Sequence, residues 1–554
     1  MSQLHVDHIK ITLDRSFSGK IDLSDVSTRP PDEQRNAFLT RSVAAYALMQ
    51  IAGIDEDIAC RCIVDGYDDN GIDAIYINPS EHLVYLVQSK WMHTGDGSIT
   101  LDDINKFING FNDLIKPDFT RFNEKINRIK TDIISSLEDS QVKFNLIFSF
   151  TGKDPISTHV QNRMNDLIHE MNDPSEMISW YIMSQKELHD AVSGLAEGAP
   201  INLEFVLKDW GFIEDPFKAY YGQIEASDIA AWYSQYRTLL LKPNLRNFLG
   251  STDVNEAIRK TLTENPENFW YFNNGITLLC NTVNKKPIGG PDRRSGYFSA
   301  EGVGVVNGAQ TVGSIFKVFE SSPDLINRAK VLVRFISLEG CPDSFGMEVT
   351  RATNTQNKIE RRDFAAQDPE QHRLQKELWF DNIEYVCRTG ETKPTPERGC
   401  DIEEATIALA CANQDIGLAV QAKREVGKLW ENIDREPYRS IFRPGLTGKE
   451  LWNTVLVSRK VESQLKTIQS GHQGRERLIA VHGNRFLLHL LFKSLRQANI
   501  RELDARITFV DQETENIFNQ VVQVMNANFE SSYPANLFKN RTKCGELSTL
   551  IEQL

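Results

Sequence analysis

The order of apolar and polar positions predicts a small α/β domain at the start of the chain. The segment from about Asp32 to Ala52 is apolar nearly all round in its second half, which predicts a helix buried against a sheet. Residues 71–77 and 82–90 are β-rich, and the polar NPSE segment between them is typical of a hairpin turn. A charged helical stretch over 101–137 and a buried strand over 143–150 follow. This order predicts an α/β domain.

Beyond this domain the pattern changes twice. From Asp215 to about Arg388, polar tracts rich in Asn and Gln interrupt the strand and helix signals, which predicts an α+β central domain. After that the chain is mainly helical, and Asp401 can cap a helix whose first turn carries Glu403 and Glu404, as the helix dipole favours. We therefore expect three domains, at residues 1–205, 206–395 and 396–554.

Composition narrows the class of protein. The 554 residues are 40% hydrophobic and 25% charged, as in an ordinary globular protein. The formal charge of −14 argues against a surface coated in positive charge, although a local groove for nucleic acid needs only a few clustered Lys and Arg. The eight cysteines form no Cys-x-x-Cys pair, and no stretch resembles a signal peptide or a membrane span. We expect a reduced, cytoplasmic protein with no membrane partner.

Three polar side chains are predicted to meet at the end of the hairpin. Strand alternation puts Gln88 and Lys90 on one face, and the turn brings Asp73 across from the region of residues 86–88. A carboxylate and an amide oxygen can hold Mg²⁺ or Mn²⁺, and an ammonium can orient a phosphate or a water. This set predicts metal-dependent phosphodiester hydrolysis. The alternative is an ordinary hairpin with a lysine at a strand end.

The residues around these three side chains carry a resemblance. The run DDNGIDAIYI followed by LVYLVQSKW resembles the PD-(D/E)xK nuclease superfamily, in the QxK form of Mrr-like restriction enzymes. The resemblance implies a restriction-endonuclease-like fold in which Asp73 bridges metal, Gln88 is the second ligand and Lys90 is the catalytic lysine. Many members add a Glu from the preceding helix, for which Glu33 is the best-placed candidate and Glu56 a rival. Gln88 in place of Glu removes a charge, which leaves an inactive domain open.

The central region contains polar clusters that could bind an anion. Residues 305–312, VVNGAQTV, predict a strand, an Asn-Gly turn and a helix whose N-terminal N–H groups face a phosphate. A second cluster is followed by positive charge at Lys358, Arg361 and Arg362. The alternative is that these amides satisfy loop backbone. The candidate anion or nucleotide ligands are Asn307, Gly308, Gln310, Thr311, Asn354, Gln356 and Asn357.

The amino-acid sequences of the central clusters show a second resemblance. FWYFNNGIT, VVNGAQTV and ATNTQNKIERRDFAAQDPEQ together resemble the abortive-infection phage-resistance (AIPR) proteins of bacteria, over roughly residues 215–390. This implies antiviral defence through damage to nucleic acid. The region is also similar, more distantly, to the ParB-like fold that cradles a nucleotide, but Thr311 stands where that motif carries Arg.

These observations favour an antiphage endonuclease that cuts DNA rather than RNA and uses Mg²⁺ or Mn²⁺. A nucleotide is a candidate ligand of the central domain. We expect a homo-oligomer, since nucleases that break both strands usually pair two sites, and a second defence-system protein as a candidate partner. The alternatives are a nucleotide or nucleic-acid sensor with a degenerate nuclease site, an RNA nuclease, and a scaffold that recruits a separate effector.

Overall fold

The computed structural model describes residues 2–197, 200–236, 240–241, 253–287, 293–342, 344–355, 365–388, 391–530 and 532–554. These residues form mixed α and β structure with a helical C-terminal region, as the sequence predicted. They divide into two compact units, of which the first consists of Met1–Leu48, Asp55–Lys186 and Lys358–Leu554, and the second of Met49–Ile54 and Glu187–Asn357. The division into three domains stays a prediction.

The N-terminal part of the first unit is a four-stranded sheet with helices around it. The sheet has the order β1-β2-β3-β4, with β1 and β2 antiparallel and the other pairs parallel. The predicted buried helix and hairpin are confirmed. The elements in chain order are α1 (Ser2–Phe17), α2 (Pro31–Ala52), α3 (Glu56–Arg61), β1 (Ala74–Asn78), β2 (Leu83–Lys90), α4 (Leu101–Ile115), α5 (Glu124–Arg128), α6 (Lys130–Glu138), β3 (Lys143–Phe150), α7 (Thr158–Met171) and β4 (Ile178–Met183). They are followed by α8 (Gln185–Glu197), most of which belongs to the second unit.

The helical stretch predicted over 101–137 is three helices, α4, α5 and α6. Pro117, just beyond the end of α4, has no backbone N–H with which to continue the helix. Asn123 then starts α5, because its side-chain oxygen accepts the N–H of Ile126 at 3.0 Å. Apolar periodicity alone did not reveal these breaks, which depend on single proline and capping residues.

Helix α4 connects β2 to β3 and covers the sheet with its apolar face. Phe107 packs edge to face on Phe148 of β3, with ring centroids 4.8 Å apart, and Phe111 packs in the same way on Phe144 at 5.4 Å. A capping box fixes where the helix begins, because Thr100 and Asp103 each bind the backbone N–H of the other. The start of α4 is therefore held beside the end of β2.

The second unit is built on a seven-stranded sheet of order β10-β7-β11-β6-β5-β9-β8, in which only the pair β7 and β11 is parallel among the described strands. Its core includes Phe205 stacked on Phe335, with ring centroids 4.1 Å apart. The elements are β5 (Leu203–Ile213), β6 (Ala219–Glu225), α9 (Ala226–Tyr236), α10 (Asp253–Glu264), α11 (Phe269–Phe272), β7 (Ile276–Cys280), β8 (Thr282–Lys285), β9 (Ser295–Glu301), β10 (Gly304–Asn307), α12 (Ala309–Ser321), α13 (Pro323–Ile326), β11 (Lys330–Ser337) and α14 (Phe345–Thr355).

The C-terminal part of the first unit is helical apart from one short parallel strand pair. Asp401 caps its helix as the sequence predicted, accepting the N–H of Glu404 at 2.8 Å. The elements are α15 (Pro369–Phe380), β12 (Glu384–Val386), β13 (Gly399–Asp401), α16 (Ile402–Ala412), α17 (Ile416–Arg424), α18 (Tyr438–Ile441), α19 (Gly448–Gly471), α20 (Gly474–His482), α21 (Asn484–Gln497), α22 (Leu503–Asn528), α23 (Pro534–Leu537) and α24 (Arg541–Ile551).

These C-terminal helices pack directly on the N-terminal α/β part. Leu478 and Tyr533 belong to the same apolar core as the residues of α4 and β3. Two buried hydrogen bonds join the two parts. His482 Nε2 and the Tyr533 hydroxyl, from the C-terminal part, lie 2.7 Å and 2.8 Å from the carbonyl oxygen of Leu137 in α6. Segments more than 300 residues apart in sequence thus share one core. Among the described residues, no helix has the length and apolarity to cross a membrane.

Two helical glycines give a matched test of how closely α4 lies against the loop before β1. A Cβ on Gly110 in α4 would overlap the carbonyl oxygen of Asn70, whereas a Cβ on Gly545 in α24 meets nothing within 4 Å. We expect Gly110→Ala to lower the stability of the protein by about 1–3 kcal/mol. Gly545→Ala should leave it unchanged or raise it by up to about 1 kcal/mol. Thermal unfolding of both variants checks this, and equal melting temperatures would contradict the packing.

Candidate functional site

The loop that leads into β1 is shaped by one aspartate. Asp69 Oδ1 accepts the N–H of Gly71 at 2.8 Å, and its Oδ2 accepts the N–H of Gly66 at 3.3 Å. Gly71 has a φ of 81°, a left-handed conformation that strains other residues, and a Cβ there would press on the backbone of Lys106 and Phe107 in α4. The glycine and the aspartate together hold this loop tightly against α4.

This loop brings three carboxylates together. One carboxylate oxygen from each of Asp65, Asp69 and Asp73 lies within 4.8 Å of the other two. Asp69 and Asp73 are buried, and Asp65 is half-buried. We call these residues the aspartate triad. Three acids at this separation, largely shielded from water, repel one another unless protons or cations compensate their charge.

Asp73 is the most deeply perturbed member of the triad. Its Oδ2 accepts the backbone N–H of Ser89 at 2.5 Å and lies 2.9 Å from the Ser89 hydroxyl. The same hydroxyl lies 3.0 Å from the carbonyl oxygen of Thr40 in α2. Burial raises the pKa of Asp73 well above its ordinary 3.8, and the charges of Asp65 and Asp69 raise it further, against the hydrogen bonds from Ser89. The folded protein therefore favours a proton or a cation on this carboxylate.

A buried arginine holds the outer member of the triad. Arg41 of α2 is 1% exposed, and its Nε donates to Asp65 at 2.6 Å while its terminal nitrogens bind both oxygens of Asp25 at 2.6 and 2.8 Å. Burial lowers the pKa of this guanidinium, but the hydrogen bonds to Asp25 and Asp65 outweigh that effect and raise it. Lys106 of α4 contacts Asp69 at 3.0 Å. Lys125 lies near Asp65 and Asp25 as well, so three cations face four aspartates, because Arg41 and Lys125 also serve Asp25.

Gln88 and Lys90 lie on the neighbouring strand. The register pairs Ala74 with Val87, and Asp73 contacts the β2 residues on either side of Gln88: its N–H donates to the carbonyl oxygen of Val87, and its carboxylate binds Ser89. Gln88 is half-buried, and its side-chain oxygen is buried with no hydrogen-bond partner among the described residues. Buried polar atoms in native structures almost always have a partner. This orphaned oxygen is therefore available to a ligand.

The ammonium of Lys90 is bound to an acid that the sequence did not suggest. Its Nζ lies 2.8 Å from Oδ2 of Asp103, the capping-box residue of α4, and not on Asp73. Burial would raise the pKa of Asp103, but the hydrogen bonds from Lys90 and from Thr100 outweigh it and lower the pKa. The structure thus places Lys90 on the hairpin as predicted but fixes it through the start of α4.

The structure does not bring the candidate glutamates to the triad. Glu33 lies in the first turn of α2, 56% exposed, and its recorded partner is Arg29 at 3.6 Å. It is seven residues before Thr40, on the same helix face but about 10 Å away along the axis. Glu56 begins α3 and pairs with Lys20 at 2.6 Å. The role of either residue as a ligand stays a prediction.

Sequence reasoning missed Asp65, Asp69, Ser89 and Asp103. A signal for two of them was present, because the aspartates at 65, 69 and 73 recur at intervals of four around a glycine. Ser89 and Asp103 gave no such signal, since a serine in a strand and an aspartate at a helix start are ordinary residues at those positions. Their roles depend on the approach of α2 and α4 to the strand.

The donor set of this region suits a hard divalent cation. Mg²⁺ prefers oxygen ligands at about 2.1 Å, which places neighbouring ligand oxygens about 3 Å apart and opposite ones about 4 Å apart. The triad oxygens lie within 4.8 Å of one another, close to that spacing, and the orphaned oxygen of Gln88 is a further candidate ligand. The residues present therefore fit such an ion, with Asp73, which has no ion pair among the described residues, as the least compensated acid.

The Asn/Gln-rich clusters of the second unit bind to one another. The predicted strand, turn and helix are confirmed as β10, Gly308 at φ 93° and α12. The Asn273 amide lies 3.2 Å from the Thr311 hydroxyl, and Asn307 Nδ2 donates to the carbonyl oxygen of Thr353 at 2.7 Å. Three clusters that are separate in sequence therefore meet at the N-terminus of α12.

The remaining candidate ligands of this region are less informative. Gln310 is half-buried in the first turn of α12, and Asn354 lies in α14. Gln356 and Asn357 lie outside the described residues, as do Lys358, Arg361 and Arg362. Asn273 binds a side chain and Asn307 binds the backbone of α14, so both amides have partners within the protein. Nucleotide binding here stays a prediction.

Comparison with known proteins gave one match. A family model with the description AIPR protein matches residues 241–553, which is more than half of the chain. The match extends through the C-terminal helices, further than the region from 215 to 390 in which the resemblance was seen. It does not include the hairpin or the aspartate triad. No curated protein and no solved structure matches the chain.

The opposite pKa shifts of Asp73 and Asp103 predict opposite effects of the same substitution. The folded-state pKa of Asp73 is raised, so ionisation of this carboxyl costs the folded protein stability as the pH rises from 3.8 through the raised value. Asp73→Asn removes that cost and should raise the melting temperature at neutral pH without divalent metal. The folded-state pKa of Asp103 is lowered, so its ionised carboxylate stabilises the folded protein above pH 3.8, and this stability is lost as the pH falls through the lowered value. Asp103→Asn should therefore lower the melting temperature at neutral pH.

Thermal unfolding in chelator at neutral and at acidic pH measures both effects. The gain from Asp73→Asn should shrink as the pH falls, because the wild-type carboxyl is then protonated. A melting temperature that drops in Asp73→Asn at neutral pH would contradict the crowding of charge in the triad.

Proposed function

The chain belongs to the AIPR family, the abortive-infection phage-resistance proteins, and on that basis we propose that it is a metal-dependent nuclease of antiphage defence. Membership of the family implies a role in phage resistance. The nuclease activity is our proposal, with Mg²⁺ or Mn²⁺ as the cofactor and DNA favoured over RNA as the substrate. The observation that carries it is the aspartate triad, whose Asp73 binds Ser89, the residue next to Gln88 with its orphaned oxygen.

Each group at the hairpin has a role in this proposal. Asp73 and Asp69 would hold the ion with Gln88, and Arg41 would keep Asp65 in position. A bound Mg²⁺ supplies charge stabilisation at the phosphate and lowers the pKa of a water. Lys90 would donate to a phosphate oxygen or orient the water, and Asp103 keeps the ammonium in place before the substrate arrives. The resemblance of the GID and QSK segments to PD-(D/E)xK nucleases supports the same roles.

The charge of the protein is consistent with a restrained nuclease. A formal charge of −14 disfavours unselective contact with nucleic acid, so we expect binding to use a local positive region or an activating partner. We propose that the active form is a homo-oligomer, because nucleases that cut both strands usually pair two sites. A second defence-system protein could supply the activating contact.

A second candidate function is a nucleotide or nucleic-acid sensor with a degenerate nuclease site. Two observations favour it: Gln88 stands where a carboxylate would bind metal more strongly, and Lys90 is engaged by Asp103 rather than directed at Asp73. A sensor of this kind would bind metal or nucleic acid without cutting it. An RNA nuclease differs from the main proposal only in substrate.

The nuclease proposal predicts the loss of cleavage in two hairpin variants. Plasmid DNA and single- and double-stranded DNA and RNA are incubated with the full chain and Mg²⁺ or Mn²⁺. Asp73→Ala and Lys90→Ala should each reduce the rate at least about 100-fold, since each removes charge stabilisation of the transition state. Lys153→Ala is the matched control, because Lys153 is also about half exposed and also pairs with one aspartate, Asp96, at 2.7 Å.

The outcomes separate the candidates. Cleavage that survives in both hairpin variants rules out this site. No cleavage of any substrate by the wild type, combined with a rise in melting temperature on adding Mg²⁺ that Asp73→Asn abolishes, supports the sensor. Preference for RNA over DNA corrects the substrate alone.

The identity of the helix-borne acid is tested separately. If substrate binding brings the start of α2 to the triad, Glu33→Gln should lower the cleavage rate about 10- to 100-fold while Glu56→Gln leaves it unchanged. Rates for both variants at saturating Mg²⁺ give the answer. The reverse order would assign the role to Glu56, and two unchanged rates would remove both glutamates from the site.

A further inference from the structure

A second polar site lies within the first unit, where the C-terminal helices meet the N-terminal α/β part. It is a pocket of about 520 Å³ between residues 173–174, which connect α7 to β4, and helices α17 and α24. Its charged lining consists of four basic residues, Arg424, Lys539, Arg541 and Lys543, and two acidic ones, Asp173 and Glu546. We call it the basic pocket. Its excess of positive charge stands out in a chain with a formal charge of −14.

Two of the four cations have no carboxylate partner among the described residues. Arg424 Nη2 donates to the carbonyl oxygen of Pro174 at 2.8 Å, and Lys539 Nζ donates to the carbonyl oxygen of Ser140. Burial lowers the pKa of Lys539, and the charges of Lys143 and Arg424 lower it further, while Asp139 opposes them. Neutral carbonyls satisfy the hydrogen bonds but leave the positive charge uncompensated. An anion would remove that cost.

The other two cations are only weakly held by acids. Arg541 is 71% exposed and lies 3.1 and 3.2 Å from the oxygens of Asp415, and Lys543 lies 3.9 Å from Asp173. Exposed pairs of this kind contribute little stability, so these side chains can turn towards a ligand at small cost.

The pocket also includes the N-terminus of a full helix. Asn540 caps α24 through the N–H of Lys543 at 3.0 Å and donates its own Nδ2 to Asp173 at 2.9 Å. The first two N–H groups of a helix, here those of Arg541 and Thr542, have no acceptor within the helix. Both residues line the pocket. Helix N–H groups beside arginine and lysine are the donors that bind phosphate groups in proteins.

We propose that the basic pocket binds a small phosphate-bearing molecule of nucleotide size. The volume of about 520 Å³ lies in the range of small-molecule sites, which run from about 300 to 1,000 Å³. A phosphate group carries a charge of about −1.5 to −2 near neutral pH, which matches the excess of two positive charges in the lining. The site is separate from the aspartate triad and from the amide clusters of the second unit.

Occupancy of this pocket has a structural consequence. Asp173 and Pro174 belong to the α/β part that carries the hairpin, whereas Arg424 and Arg541 belong to the AIPR-matched helices. A ligand held by both would stabilise their packing by binding only the folded arrangement. The pocket is therefore placed to report the presence of a phosphorylated molecule to the α/β part.

Titration calorimetry on the full chain tests the proposal with three probes. Inorganic phosphate tests the anion site alone, AMP tests the nucleotide, and adenosine tests the base without phosphate. We expect saturable binding of AMP, weaker binding of phosphate and none of adenosine. Arg424→Gln and Lys543→Gln should each weaken AMP binding by about 10- to 100-fold, as expected for the loss of a charged hydrogen bond.

Controls make each outcome decisive. Arg443→Gln removes an arginine that is 51% exposed and pairs with Glu450 outside the pocket, and it should leave AMP binding unchanged. Asp73→Asn should also leave AMP binding unchanged, so failure of the nuclease proposal does not affect this test. Binding of AMP that is equal in Arg424→Gln, Lys543→Gln and Arg443→Gln would overturn the proposal. So would the absence of AMP and phosphate binding at millimolar concentration, and so would adenosine binding as tightly as AMP.

Discussion

The aspartate triad is the constraint around which the N-terminal part is organised. Three carboxylates with oxygens within 4.8 Å of one another would separate in a flexible loop. Here Asp69 accepts two backbone N–H groups, Gly71 lets the loop lie on α4, and Arg41 binds Asp65 from the opposite helix. The charge that remains uncompensated is concentrated on Asp73. Such stored repulsion lowers stability, and a cation would relieve it.

The packing of the first unit links the candidate chemistry to the family region. The C-terminal helices belong to the AIPR-matched residues, and their Tyr533 and His482 both bind the carbonyl oxygen of Leu137 at the end of α6. Helix α6 leads directly into β3, the strand beside β2. These helices therefore share a packed core with the sheet that carries Gln88 and Lys90. The proposed anion pocket lies at this same contact, beside Arg424 and Lys539.

The parts of the fold that were predicted from the sequence are those with local causes. The buried helix α2, the hairpin of β1 and β2 and the cap at Asp401 follow from apolar periodicity, turn residues and capping chemistry within a few positions. The helical stretch over 101–137 was predicted as one element because charge and periodicity continue through it. Pro117 and Asn123 divide it, and their effect outweighs the average propensity of the segment.

The sequence by itself determined the hairpin and the strand-turn-helix, and it predicted Asp73, Gln88 and Lys90 on the first and amides on the second as the residues that could carry chemistry. Only the tertiary structure decided their partners. Lys90 binds Asp103 because α4 begins beside the end of β2, and Asp73 joins Asp65 and Asp69 because α4 and α2 press the loop from two sides. The physical reason is that a side chain's choice among several acceptors depends on contacts between distant segments, which no local pattern of residues encodes.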